Sequence, residues 1–377
     1  MRTVVVVPDS FKGTMSSIEV CDIVEAALSR RFPEMRVVTI PVADGGEGSV
    51  DAFLAAVGGR RVAFQVTGPM SEPVPAFYGE LSDGSVVIEM AAAAGLPLVN
   101  GSLQPEVTTT YGVGELIVSA AHTGARRLIV GLGGSATTDL GTGAAVAAGV
   151  RFYDQDDREF LPLSGSLNQI SRVDLSGLDE QVRMCTIEVM CDIDNPLFGP
   201  RGAAYVFGPQ KGADEAMVER LDAGLQHACA VVEQACGVEV ADLPGSGAAG
   251  GMGAGMVAFF GATLKRGIDV VLETSRFDDV VRGSDLVISG EGALDAQSLS
   301  GKVVVGVARR ARALGVPVIA IVGDIRDGFE PVYDEGVSAV FSINNLAIPY
   351  LEAKLRARKD LDTTVDNIAR ALSVARW

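Results

Sequence analysis

Residues 3–42 read TVVVVPDSFKGTMSSIEVCDIVEAALSRRFPEMRVVTIPV, and this stretch decides the fold. Residues 3–7 are a continuous β-branched run, as expected of a strand buried on both faces. Ser16 with Glu19 three residues later is a capping box. Ile18, Cys21, Val24 and Leu28 then recur at helical spacing until Pro33. Residues 36–42 form a second strand. Strand, helix and strand make one β-α-β unit, the mark of a parallel sheet.

One such unit is too small to close a core. The C-terminal part repeats its grammar, with strands at 285–289, 317–322 and 338–343, a helix at 303–314 closed by Gly315, and a last helix at 363–372. The middle reads differently. Short strands fall at 61–66, 76–81 and 85–90, the last two joined by Ser82-Asp83-Gly84, a hairpin signal. Further strands lie at 127–132, 150–153 and 186–190, and helices at 109–122, 141–149 and 215–235. The expected architecture is α/β with two domains and a cleft between them. Residues 1–61 and 281–377 build a Rossmann- or flavodoxin-like parallel-sheet domain, and residues 62–280 an inserted mixed α/β domain. A sequential two-domain split is the alternative.

Composition excludes several chemistries. The 377 residues are 48% hydrophobic, enough for a sizeable core. A net charge of −17 repels phosphate backbones and argues against nucleic acid. There are only two histidines, His122 and His227, with no HExxH and no G-x-S-x-G. Both lie on expected helices and read as structural. The five cysteines form no CxxC pair and read as buried thiols of a cytoplasmic protein. The valine run ends at Pro8-Asp9, too short for a signal segment. Residues 243–264 are uncharged but hold seven glycines and a proline, so they read as a loop entering a buried helix rather than a membrane span.

The 45 glycines gather with carboxylates after the expected strands. Ligands bind outside the carboxyl ends of strands in open α/β sheets. There stand Asp9-Ser10-Phe11-Lys12-Gly13, Ala43-Asp44-Gly45-Gly46-Glu47-Gly48, Gly290-Glu291-Gly292-Ala293-Leu294-Asp295 and Gly323-Asp324. The middle adds Gly131 to Asp139 (GLGGSATTD), which follows a strand and opens a helix, a setting suited to phosphate. It is neither a P-loop nor GxGxxG. Cys191 to Pro196 (CDIDNP) offers the oxygen ligands that Mg²⁺ prefers. Of six lysines, Lys12, Lys211 and Lys302 each lie beside a glycine, suited as compact charges to phosphate. Together these features point to Mg²⁺-assisted phosphoryl transfer.

The segments VVVVPDSFKG (4–13), PVADGGEG (41–48), GLGGSATTD (131–139), CDIDNPLFGPRG (191–202), YVFGPQKG (205–212), GAAGGMGAG (247–255) and GEGALDAQSLSGK (290–302) resemble the bacterial glycerate kinase family. The resemblance runs in order over about residues 1–345. It implies a fold of two α/β domains and an ATP- and Mg²⁺-dependent kinase that phosphorylates a hydroxyl of D-glycerate, giving 2-phosphoglycerate, with 3-phosphoglycerate the alternative product. Roles follow as expectations. Asp192 or Asp44 activates the hydroxyl, with Lys302 also catalytic. Ser10, Lys12 and Asn195 bind substrate. Gly133, Gly134, Ser135, Thr137, Gly251 and Gly253 hold the nucleotide, and Glu291 and Asp295 ligate Mg²⁺. No membrane partner is expected, and a homodimer is the assembly considered. A nicotinamide-dependent hydroxy-acid dehydrogenase and a non-catalytic metabolite-binding protein are the rival readings.

Overall fold

The computed structural model describes residues 2–43, 45–99, 101, 103–295 and 302–374. In chain order the strands are β1 (Thr3–Pro8), β2 (Arg36–Thr39), β3 (Gly59–Thr67), β4 (Pro73–Leu81), β5 (Val86–Glu89), β6 (Arg127–Gly131), β7 (Arg151–Tyr153), β8 (Glu159–Phe160), β9 (Arg172–Asp174), β10 (Thr186–Met190), β11 (Thr263–Lys265), β12 (Leu286–Leu294), β13 (Val318–Ile325) and β14 (Val337–Ser342). The chain divides into two compact units. The first holds residues 1–43, 51–58 and 268–377; the second holds 44–50 and 59–267.

The first unit is a five-stranded parallel sheet in the order β14-β13-β12-β1-β2. β1 lies centrally, which is why Val4 to Val7 are all fully buried. The helix Ser17–Arg31 starts at Ser16, and the capping box forms: the Glu19 N–H donates to Ser16 Oγ at 3.2 Å and the Ser16 N–H to Glu19 Oε2 at 2.8 Å. Val20, Val24 and Leu28 pack from it onto the sheet, and Leu361, Val365 and Ile368 come from the helix Tyr350–Val374. That last helix is 25 residues long, where the apolar spacing marks only 363–372. Its first half turns Leu351 and Leu355 outward, so it carries no continuous buried stripe to read.

The second unit has a six-stranded mixed sheet in the order β11-β10-β6-β5-β4-β3, with a small antiparallel sheet β8-β7-β9. β5, β6, β10 and β11 run parallel, while β3 and β4 add an antiparallel edge. Its core is its own: Ile88, Leu128, Val130 and Val189 of the sheet pack with Leu116, Leu225 and Met256 from helices.

Two expected loops are strand. Residues 290–294 and 323–325 stay paired, with Glu291 opposite Val322 and Leu294 opposite Ile325. Their glycines serve close strand approach, not turning: a Cβ on Gly290 would lie 2.3 Å from the Ile321 carbonyl. Among the described residues no helix is long and apolar enough to cross a membrane.

Candidate active site

The parallel strands of the mixed sheet end in register, with Glu89 and Met190 both opposite Gly131, and Met190 opposite Lys265. Everything that follows these four residues leaves from one edge. Gly131 continues into Leu132 to Asp139, and Met190 into Cys191 and Asp192. The 45–48 turn packs onto the same edge. The Gly133 N–H donates to the Gly45 carbonyl at 2.9 Å, and a Cβ on Gly133 would fall 2.4 Å from Gly46 Cα. Only glycine lets the two backbones meet so closely. Asp44 itself lies outside the described residues.

The glycine loop does not run straight into a helix, as its sequence had implied. It first forms an antiparallel bridge to residues 94–96: the Ala136 N–H donates to the Ala94 carbonyl and the Leu96 N–H to the Gly134 carbonyl, both at 2.9 Å. The helix Thr142–Ala147 begins later. The Asp139 carboxylate organises that turn, taking the N–H of Thr110 at 2.7 Å, the Thr110 hydroxyl at 2.9 Å, and the N–H groups of Gly141 and Gly143 at 3.1 and 3.3 Å. Asp139 is fully buried, and burial holds its carboxyl above the usual range despite these four donors. With those bonds spent, the N–H groups of Gly134 and Ser135 make no hydrogen bond among the described residues.

Lys211 meets this loop from inside. It ends the single turn Pro209–Lys211 and is 3% exposed. Its Nζ donates to Ser135 Oγ at 3.0 Å and to the Thr137 carbonyl at 2.5 Å. Burial pushes its ammonium down to about 7, with the Asp139 charge pulling the other way. The Thr137 and Thr138 hydroxyls are buried and have no hydrogen-bond partner among the described residues. Lys211 stood out in the sequence by its glycine neighbour, but its burial was not legible. Glu89, buried at the end of β5, accepts the Val50 N–H at 2.6 Å and was missed. A carboxylate inside the apolar run Val86 to Met90 was the available signal.

The remaining residues of this unit divide. Asp192 is exposed two residues past β10, and its Oδ1 accepts the Gly267 N–H at 2.8 Å. Asn195 donates to the Arg201 carbonyl at 2.8 Å and so closes its own loop. Gly251 and Gly253, the nucleotide candidates of this stretch, are buried. A side chain on Gly251 would strike Leu197 at 2.8 Å, and one on Gly253 the Gly245 carbonyl at 2.2 Å. Ala249, Gly250 and Gly251 are left-handed and interrupt the helix Ala248–Phe260. A Cβ on Gly250 would lie 2.0 Å from the Thr137 carbonyl, so this turn backs the loop.

In the parallel-sheet unit, Asp9 follows β1 and its N–H donates to the Gly290 carbonyl at 2.8 Å. Ser10 and exposed Lys12 lie in the loop that crosses the extended end of β12. A Cβ on Gly13 would lie 3.2 Å from Lys354 Nζ, which brings a second ammonium to that loop from the last helix. Lys302 is exposed at the start of the helix Val303–Ala313. Glu291 is buried within β12, and Asp295, just past it, faces Arg326 at 3.7 Å. Four residues of strand separate the two carboxylates, about 13 Å between Cα atoms.

Nothing here resembles histidine or thiolate chemistry. His122 bonds Asp179 at 2.9 Å and His227 the Ile170 carbonyl at 2.8 Å, both structural. Burial pushes all five thiols up, Cys236 to about 11.

A family model described as the glycerate kinase family matches residues 4–373. The chain belongs to the glycerate kinase family. It is 45% identical to the glycerate kinase of Bacillus subtilis (strain 168), over 99% of this chain and 98% of that one. It is 44% identical to the glycerate 2-kinase of Escherichia coli (strain K12), over 98% of each. The crystal structure of a Salmonella typhimurium LT2 protein named as a glycerate kinase 2 matches with a TM-score of 0.89 at 40% identity, covering 100% of this chain and 99% of that one. The protein is therefore a kinase rather than a dehydrogenase.

Proposed function

We propose that this kinase transfers the terminal phosphoryl group of ATP to D-glycerate and releases 2-phosphoglycerate. The observation that carries this reading is the Gly133–Thr137 loop at the carboxyl edge of the mixed sheet. Its Gly134 and Ser135 N–H groups are left over for a ligand, and a buried ammonium stands behind it. Such donors suit phosphate oxygens. Asp192 leaves the adjoining strand and is the carboxylate assigned to the attacking hydroxyl, with Asp44 the alternative. The name of the Escherichia coli relative supports the 2-hydroxyl.

Ser10 and Lys12 suit the glycerate carboxylate, and Lys302 the transferring phosphoryl group. Asn195 keeps its Oδ1 for a substrate hydroxyl while its amide holds the loop. Among the described residues no three His, Cys, Asp or Glu side chains converge on a metal. That fits Mg²⁺, which is commonly held by one or two carboxylates with the substrate phosphates and water. Glu291 and Asp295 are the carboxylates we assign to the ion. The ion, when bound, offsets charge on the phosphates. A coupled assay with D-glycerate and Mg-ATP, followed by NMR of the product, tests the reading. Glycerate-dependent ADP release with 2-phosphoglycerate supports it; 3-phosphoglycerate overturns the regiochemistry, and silence overturns the substrate.

A further inference from the structure

We propose that Lys211 is a positioning residue for phosphoryl transfer. Its ammonium ties Ser135 Oγ and the Thr137 carbonyl together, so the Gly134 and Ser135 N–H groups and the Ser135 hydroxyl face the nucleotide phosphates. This rests on the assignment of the Gly133–Thr137 loop to the nucleotide.

Two observations favour a placed cation over a packing residue. A buried ammonium is costly, and the exposed lysines Lys12, Lys302, Lys354 and Lys359 show where this chain places such a group when nothing holds it inside. The Lys211 backbone is also fixed. The Lys211 N–H donates to the Gly208 carbonyl at 2.9 Å, and Gly212 is left-handed with no room for a side chain against Leu103. A group held this rigidly imposes its geometry on what it bonds. It bonds two atoms of the loop, on either side of Ala136. Neither bond is needed to close the helix Thr142–Ala147, since Asp139 already does that.

The charge of Lys211 is conditional. Asp139 is the charged group facing it among the described residues, and burial leaves the ammonium near neutrality. A bound polyanion favours the charged form. In the free enzyme the ammonium is therefore lost as pH rises through about 7, and binding phosphate moves that loss to higher pH.

The test is the pH profile of kcat/KM for Mg-ATP from pH 6 to 9, wild type against Lys211→Met and Lys211→Arg. Measuring them in parallel cancels the titration of the nucleotide itself. Wild type should lose activity above pH 7 in kcat/KM, with kcat holding to higher pH. Lys211→Met should lower kcat/KM for ATP about 100-fold at pH 6.5 and abolish the alkaline limb, with KM for glycerate changed less than about twofold. Lys211→Arg should restore part of the rate without the limb, because a guanidinium stays charged. A folded variant that keeps the wild-type limb, or one that raises both KM values alike, overturns the proposal. Should both variants misfold, Ser135→Ala keeps the ammonium and removes its hydroxyl partner. It should lower kcat/KM for ATP about tenfold with the limb intact, and a wild-type rate there also overturns the proposal. Calorimetric titration of Gly134→Val with a non-hydrolysable ATP analogue separates the two readings. Unchanged affinity removes the nucleotide assignment itself. Weakened affinity together with a limb that persists in Lys211→Met removes only the role of Lys211.

Discussion

Asp139 receives four hydrogen bonds from two segments of chain, so its replacement is expected to be felt in the fold before it is felt in the chemistry. Asp139→Asn turns an amide toward N–H donors and should cost about 2–4 kcal/mol, read as a shift of the urea midpoint. Gly133→Ala should lower both activity and melting temperature, at about 2–3 kcal/mol, because the new methyl meets Gly46 backbone. Gly84→Ala in the hairpin is the control: the position is left-handed but open, and about 1 kcal/mol is expected with activity unchanged. The glycines at 131–134 could be read from their letters as a turn after a strand, because β6 ends there and close backbone approach needs them. What Asp139 and Lys211 do there could not, because burial of a charge is a property of the tertiary surroundings.

The elements show the same division. The capping box at Ser16 was legible because both of its bonds are local. Ser16→Ala should cost about 1 kcal/mol in equilibrium unfolding. The reach of β12 was not legible, because Gly290 and Gly292 look like a turn until the neighbouring strand and the 9–13 loop are known to crowd them. Glu188 on β10 bridges Arg127 of β6 at 2.6 Å and Lys265 of β11 at 2.8 Å, tying three parallel strands. Against its burial, which raises it, these two cations hold the carboxyl below its ordinary 4.5. A depressed carboxyl stabilises above its unfolded value and loses that contribution as pH falls through the folded one. Wild type should therefore lose stability between about pH 5 and 3 more steeply than Glu188→Gln, and be the more stable of the two at pH 7. Equal slopes in denaturation at both pH values would remove the bridge from the stability of the sheet.

Across the whole molecule, each unit has its own apolar core, one drawn from residues 66–262 and the other from the two ends of the chain. The β-α-β grammar at the two ends was legible because each end repeats it around apolar strands that pair in one sheet. Residues 51–58 group with the first unit and 44–50 with the second. We propose that the second unit is a folding domain. Residues 59–267 expressed alone should give cooperative urea unfolding and native-like circular dichroism; a non-cooperative chain would refute this. The parallel sheet has a different history. Val4 pairs with Val37 on one side and with Leu286 on the other, so one edge of β1 is covered early in synthesis and the other late. At about 5–20 residues per second of synthesis, that wait is roughly 15–55 s. Through it, the β12-facing edge of four consecutive valines stays open, an unpaired apolar strand edge that invites wrong pairing before the right neighbour is made.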